Sequence, residues 1–417
     1  MYTFSIYLYS IVIRIAAFFG HIKARQMCCG QKQVWTQLQT RLQQGERRIW
    51  IHCASLGEFE QGRPLMEDIR AHYPQYKILV TFFSPSGYEL RKDDAGVDYV
   101  FYLPFDTQRN ASRLLRLIHP EMVYFIKYEF WRNYLKTIQH LQIPLFLVSA
   151  IFRPEQVFFK WYGGWYRKML KPFTHFFVQN ELSKDLLATI GFTNVIVTGD
   201  TRFDRVCRIF DEVQQIPEVT QFVNGQPCMV AGSTWPSDEE MLTHYINQEN
   251  RCMKWIIAPH ELHDHQINRL MKAVNFKSIR YSQLAGKNPE EYQLLVIDNF
   301  GMLSSLYQYA TVAYIGGGLD KNNGIHNALE AAVYGIPVIF GWVYDEYQEA
   351  IDLVALGGAI PVRNELEFTF QLNTLLENPD KVTKTGNIAG AFVASGRGAT
   401  ERILDVSSLS FRIEKNE

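Results

Sequence analysis

The first place in this chain where residue types and spacing suggest chemistry is an acid that comes directly after a buried apolar run. Ile49-Trp50-Ile51 leads through His52-Cys53-Ala54 into Ser55-Leu56-Gly57-Glu58. The run reads as a strand, and the break after it reads as the start of a helix with Glu58 in its first turn. A carboxylate there stands at the C-terminal edge of a parallel sheet, where open α/β folds keep their sites. Gly57 allows a ligand close to the backbone, and the helix N-terminus favours the ionised acid. The same residues also spell a capping box, Ser55-x-x-Glu58, which needs no ligand at all.

A second group of candidates lies in the far half. Gly232-Ser233-Thr234 follows a strand and precedes an acidic helix, so its amides and hydroxyls suit a phosphate. Gly316-Gly317-Gly318 closes another strand, and Gly324-Ile325-His326-Asn327 leads into a helix that carries Glu330. Consecutive glycines can wrap amides around an anion, and a glutamate can accept from ribose hydroxyls. No Gly-Lys-Ser/Thr follows and the G-x-G-x-x-G spacing is absent, so a purely structural glycine turn competes with this reading. Pro259-His260 ends a strand and faces a ligand on the same logic. His260, His263 and His265 lack the i, i+4 pairing of a helical zinc site, and no metal is expected.

These candidates need elements to position them. Short runs rich in β-branched and aromatic residues recur at Lys77–Phe83, Tyr99–Leu103, Met122–Ile126, Pro144–Ser149, His175–Gln179 and Val195–Thr198, separated by helix-length segments. That alternation predicts βαβ units around a parallel sheet. The stretch Val206–Gln226, with Pro217 and Gly225, loses the rhythm and reads as a linker. A second series begins at Cys228–Ala231 and continues through Met253–Ala258, Leu294–Ile297, Thr311–Ile315 and Pro337–Phe340. Two doubly wound Rossmann-like domains facing across a cleft are expected, over residues 31–205 and 227–395, with a linker at 206–226 and a tail at 396–417.

A length of 417 residues suits two cores better than one. A formal net charge of −1 excludes nucleic acid as a general partner, and six cysteines without paired spacing fit a reducing compartment. Residues 1–30 stand apart. Tyr2 to Gly20 is nearly all apolar or aromatic, with Arg14 within it and Lys23, Arg25 and Lys32 after it. An interfacial helix competes with a single span there, because Arg14 is costly at mid-membrane depth; a buried core helix is the third reading. The basic flank would keep the remainder cytoplasmic.

Taken together, the motifs resemble those of the Kdo transferases of lipopolysaccharide synthesis, which join 3-deoxy-D-manno-octulosonic acid (Kdo) from CMP-Kdo to a lipid A precursor. Those that carry the resemblance are the N-terminal apolar run, Trp50 to Glu58, Tyr128-Glu129-Phe130-Trp131, Gly199-Asp200-Thr201-Arg202-Phe203-Asp204, Gly232 to Thr234, Ile315 to Gly318, His326 to Glu330 and Gly335 to Val338, in that order along nearly the whole chain. The resemblance implies a GT-B architecture, with acceptor bound by the first domain and nucleotide sugar by the second. It implies Glu58 as general base, with Ser55 and Gly57 shaping the turn that aims it, and Glu129 and Arg202 as supports of the transition state. Contacts to CMP would fall on Pro259, His260, Gly316, Gly317, Gly318, Asn327 and Glu330, near the loop Tyr344–Gln348, with Ser233 and Thr234 as further nucleotide contacts. Lys127, Arg202, His260 and the stretch Asn323–Asn327 depart from the family pattern; arginine for lysine keeps the charge but turns a point into a fork.

An inverting transfer is then expected, without cofactor or metal, since no D-x-D motif is present. The departing phosphate would rest on the amides of Gly316 to Gly318. The partners would be the CMP-Kdo donor, the lipid acceptor and the cytoplasmic face of the inner membrane. A GT-B enzyme for a UDP-sugar, or a membrane-tethered nucleotide-binding protein without catalysis, are the alternatives.

Overall fold

The computed structural model describes residues 2–249, 251–321 and 323–412. They form two compact units, one from the N-terminus through Arg205 together with the segment from Gly398, the other Val206–Arg397. The first unit is built on seven strands: β1 (Arg47–Cys53), β2 (Tyr76–Phe82), β3 (Tyr99–Tyr102), β4 (Pro120–Ile126), β5 (Leu145–Ala150), β6 (His175–Val178) and β7 (Val195–Val197). Their order is β3-β2-β1-β4-β5-β6-β7, all neighbours parallel. Strand order reverses between β1 and β4, the switch point at which an open sheet leaves a crevice beyond its carboxyl ends. Every residue of β1 but Arg47 is buried, as a central strand covered on both faces requires.

The second unit repeats the plan with β8 (Cys228–Thr234), β9 (Lys254–Pro259), β10 (Ser278–Arg280), β11 (Leu294–Val296), β12 (Val312–Ile315), β13 (Val338–Gly341) and β14 (Ala359–Val362). Its order is β10-β11-β9-β8-β12-β13-β14, again parallel throughout, and its switch point lies between β8 and β12. Sequence periodicity does not reveal β10 and β14. Both are short edge strands; β10 is mostly polar and β14 contains Pro361, which only an edge tolerates.

The stretch expected to be a linker is largely helical, as Thr201–Glu212 and Pro217–Val223. Pro217 opens its helix at the first position instead of interrupting one, and Val219, Phe222 and Val223 are buried. The tail also folds. Helix Ala399–Arg412 packs on the first unit, where the Asp204 carboxylate accepts from the backbone N–H of Gly398 and Thr400 and from the Thr400 hydroxyl, at 2.6, 2.7 and 2.7 Å.

The apolar N-terminal run is a helix, Tyr2–Phe18, that turns at Gly20 (φ +95°) into a second helix, Ile22–Arg41. The second helix is docked: it buries Ala24, Met27, Gly30, Val34 and Leu38, and a Cβ at Gly30 would come within 2.2 Å of the Tyr102 ring. The first helix leaves Phe4, Leu8, Ile11, Val12, Ile15 and Phe18 exposed. Among the described residues no helix is long and apolar enough to cross a membrane.

Candidate active site

In the first unit the sheet brings Glu58 and Glu129 to the two sides of the switch point, Glu58 after β1 and Glu129 after β4. Glu58 lies in the first turn of helix Leu56–His72, and one of its oxygens accepts from the Ser55 N–H at 2.9 Å. The capping geometry read from Ser55-x-x-Glu58 is therefore present. It does not exhaust the residue, because burial, and then the Glu129 carboxylate, raise the Glu58 pKa above the ordinary glutamate range against the lowering influence of His52 and two backbone N–H groups. A half-buried acid so shifted holds a proton more strongly than an ordinary glutamate and is suited to act as a base. A Cβ on Gly57 would meet nothing nearer than Ser55 Oγ at 4.0 Å, so packing does not demand glycine there and the turn is open to an approaching molecule.

Glu129 is held by a chain of buried groups that motif reading overlooks. The Trp50 indole donates to Thr81 Oγ1 at 2.8 Å, Thr81 Oγ1 meets His52 Nδ1 at 2.8 Å, and His52 Nε2 meets Glu129 Oε2 at 3.0 Å. A carboxylate only accepts, so Nε2 is the donor to Glu129, while Nδ1 also lies 3.0 Å from the Thr81 carbonyl oxygen. The Trp131 indole donates to the same Glu129 oxygen. The partners come from β1, β2 and the segment after β4, so the cue was alternation alone: Trp50 and His52 share one face of β1. Just before Glu129, Lys127 has φ +62°, a strained conformation for a residue with a side chain, at the position where the family pattern is also broken. Cys53 is fully buried and its thiol is pushed well up, first by burial and then by Glu58 and Glu129, which removes it as a nucleophile.

Arg202 is the second residue of helix Thr201–Glu212. Its Nε and a terminal nitrogen bond Asp200 Oδ2 at 2.8 and 2.7 Å, and Gln61 donates to Asp200 Oδ1 at 2.8 Å. Burial alone would raise Asp200, but Arg202 overrides it and holds the carboxyl below its usual range. The guanidinium retains about a quarter of its side-chain surface, 23%, so the fork is oriented by Asp200 and still reachable. Tyr128 feels Arg202 and Glu58 alike, which puts all three residues in one electrostatic neighbourhood.

In the second unit Gly232–Thr234 and Gly316–Gly318 flank the switch point, at the ends of β8 and β12. The glycines are needed for packing: a Cβ at Gly316 would lie 2.2 Å from the Ser233 carbonyl oxygen, and Gly317 and Gly318 have φ of +86° and +77°. Their amides are not presented as the expected phosphate cradle. Gly316 N–H donates to Gly232 O, Gly317 N–H to Asp238 Oδ2 and Gly318 N–H to Asn323 O, at 2.8, 2.8 and 2.7 Å. The close approach of two strand ends has claimed them, which a sequence pattern does not reveal. Asp238 is a further residue of this turn that no motif singles out.

Next to this turn three rings meet. Trp235 stacks on His260 with centroids 4.5 Å apart, His260 lies 4.5 Å from His326, and the Trp235 indole donates to His326 Nε2 at 3.2 Å. Burial, and then His260, push the His326 pKa down to about 4, so that ring is neutral at pH 7. Glu330 accepts from Ser304 Oγ at 2.8 Å and from the Asn327 amide at 3.2 Å. His260 and Thr234 share the β8–β9 edge, where the His260 N–H donates to Thr234 O at 2.9 Å and Pro259 closes β9. His263 and His265 lie beyond this cluster, stacked on each other. Among the described residues no three His, Cys, Asp or Glu side chains are grouped to hold a metal ion.

Comparison with known proteins adds to this geometry. Residues 16–205 match the family model described as 3-deoxy-D-manno-octulosonic-acid transferase (Kdo transferase), the stretch that contains Glu58, Glu129 and Arg202. The 3-deoxy-D-manno-octulosonic acid transferase of Haemophilus influenzae is 26% identical over 376 residues, covering 86% of each chain. That of Aquifex aeolicus is 25% identical over 355 residues, covering 83% of this chain and 91% of its own. In fold, UDP-GlcNAc 2-epimerase from Neisseria meningitidis matches with a TM-score of 0.62 at 15% identity, over 86% of this chain and 98% of that one. MurG from Acinetobacter baumannii matches with a TM-score of 0.53 at 12% identity, over 86% and 98%. The expected fold class, GT-B with two Rossmann-like doubly wound domains, is borne out.

Proposed function

We propose that this chain, which is 25–26% identical to Kdo transferases over most of its length, is an inverting glycosyltransferase moving Kdo from CMP-Kdo to a lipid A precursor, with Glu58 as general base. The observation that carries this reading is the raised Glu58 carboxyl at the switch point of the unit that matches the family model. An acceptor hydroxyl gives its proton to Glu58 as its oxygen bonds the anomeric carbon of Kdo; the bond from that carbon to the phosphate oxygen breaks and CMP leaves with the electron pair. A positioned base of this kind supplies on the order of 10²- to 10⁴-fold.

The other residues take supporting parts. Glu129, oriented by His52 and Trp131, keeps a negative charge beside Glu58 and so keeps the base proton-hungry. Arg202, fixed by Asp200, places its positive charge beside developing or resident negative charge. In the second unit the Trp235, His260 and His326 rings give the pyrimidine nucleotide a face to stack on, and Glu330 with Asn327 suits ribose hydroxyls. The Gly316 to Gly318 amides are engaged internally, the Thr234 hydroxyl donates to Glu239 and Asp238 caps the helix that follows, so the phosphate is assigned to the Ser233 hydroxyl beside them.

On this reading the protein works at the cytoplasmic face of the inner membrane. The exposed apolar face of helix Tyr2–Phe18 supports that, as does the absence of any acid before Glu46 while Arg14, Lys23, Arg25, Lys32 and Arg41 are present. The test is mass spectrometry of a lipid A precursor incubated with protein and CMP-Kdo. Addition of Kdo mass, absent with Glu58→Gln, is the expected result; an unchanged acceptor would overturn the assignment.

A further inference from the structure

Between the first turn of helix Tyr2–Phe18 and helix Gly164–Leu170 the first unit has an open cavity of about 990 Å³ at its surface. Tyr2, Phe4, Phe130, Phe158, Trp165 and Met169 form most of its wall, and Arg132 is the one charged side chain on it among the described residues. The polar groups beside it are already satisfied. The Tyr2 hydroxyl donates to Asp106 Oδ2 at 2.7 Å, and Asp106 also accepts from the N–H groups of Asn133 and Tyr134, both at 3.0 Å. Such a space gives water few partners and favours an apolar occupant.

Three observations say what that occupant is. First, Phe4 on its wall is 73% exposed, and Trp161 and Tyr162, just before the helix that forms the opposite wall, are exposed by 92 and 58%. Aromatic side chains of that kind settle at the boundary between water and lipid. Second, the charge of the adjoining segment is mostly positive. It carries Arg153, Lys160, Arg167, Lys168 and Lys171 against Glu155 alone, and Arg132 lies 5.5 Å over the Trp165 ring at the wall. Third, Phe130 and Arg132 bracket Trp131, whose indole donates to Glu129. The molecule that fills the cavity therefore touches the same loop that carries a proposed catalytic acid.

We infer that this cavity takes a fatty acyl chain of the acceptor lipid, with Arg132 meeting the anionic head, so that the chain fixes the acceptor sugar relative to Glu58 and Glu129. The inference rests on the lipid-acceptor reading above and adds to it a site that selects for acylation. Lipid of the surrounding bilayer meets the exposed face of helix Tyr2–Phe18 instead, through Leu8, Ile11 and Ile15.

The test uses the full chain and two probes that carry a diazirine in one acyl chain, a lipid A precursor and phosphatidylglycerol, each in phosphatidylcholine vesicles. After irradiation the precursor probe is expected to label Tyr2–Ser5 and Val157–Met169, while phosphatidylglycerol labels Leu8 to Phe18. Met169→Trp and, from the other wall, Ser5→Trp fill the cavity and should lower precursor labelling at least tenfold in whichever variant keeps its melting temperature. Precursor label outside the cavity, coincidence of the two label patterns, or undiminished labelling in a folded variant would each overturn the inference. Consumption of CMP-Kdo is read in the same wild-type sample. Its failure would refute the transferase reading, while the position of the label still decides the cavity.

Discussion

At Glu58 one side chain meets two demands that pull apart. Its folded pKa is raised, first by burial and then by Glu129, so the folded state binds that proton more tightly than the unfolded chain. The stability it adds is present below the unfolded pKa and is lost as pH rises through the folded one, above which the ionised carboxylate is a net strain on the fold. Glu58→Gln keeps an acceptor for the Ser55 N–H and removes the charge. It should abolish transfer, by at least 10²-fold, while matching or exceeding the wild-type melting temperature at pH 7.5, with the difference shrinking in acid. A large drop in melting temperature would make Glu58 chiefly a cap. Catalysis should be lost on acidification, with an acid limb above the range of an ordinary glutamate, since the base must be ionised. His52 supplies a second check, because it lowers the Glu58 pKa and donates to Glu129. His52→Phe fills the same space without those contacts, so the acid limb of the pH–rate profile should move upward; a mere loss of stability would leave it in place. Glu58 was legible in the sequence because it follows a strand, and Glu129 only through the family resemblance of its motif. The histidine was not, since its partners Thr81 and Glu129 lie on other elements and only folding brings them within 3.0 Å.

The glycine turns make the same contrast at the level of elements. Both Ser55-Leu56-Gly57-Glu58 and Gly316-Gly317-Gly318 carry the chain out of a strand end, and both were candidates for close ligand approach. Only the first leaves room. Gly57→Ala puts a methyl group into open space in a helix first turn and should leave the melting temperature within a degree or two, helped by the roughly 0.5–1 kcal/mol advantage of alanine in helices. If the acceptor passes over that backbone, the acceptor KM rises severalfold all the same. Gly316→Ala drives a Cβ to 2.2 Å from a backbone carbonyl and should cost about 1–3 kcal/mol, read as a lower melting temperature with no ligand present. Period and composition located the central strands to within three residues, because burial on both faces leaves a continuous apolar run. They failed on β10, β14 and the helices of 201–223, where the signal is short, polar or opened by a proline that looks like a stop. Hydrogen-bond ownership at the Gly316 turn was beyond them for another reason: it depends on Asp238 and Asn323, which sequence spacing does not connect to those amides.

Across the molecule, the chain passes from the first unit to the second inside helix Thr201–Glu212 and returns at Gly398, where Asp204 receives it. Each unit has its own hydrophobic cluster. Two cores in one chain predict two calorimetric transitions in place of one. The Asp204 carboxylate is nearly buried and takes three short hydrogen bonds from the start of helix Ala399–Arg412, so Asp204→Ala strands those donors and frees the helix, at a cost of about 2–4 kcal/mol. That cost falls on the first unit. The nucleotide should act on the other: a ligand at 100 times its Kd adds about 2.7 kcal/mol to whatever binds it. If the ring cluster of Trp235, His260 and His326 and the Glu330 carboxylate hold CMP, then CMP raises one transition while Asp204→Ala lowers the other, and UDP at the same concentration does less than CMP. A CMP shift on the transition that Asp204→Ala lowers would move the nucleotide site to the first unit. A larger shift with UDP would favour a UDP-sugar as donor and displace Kdo from the reading altogether.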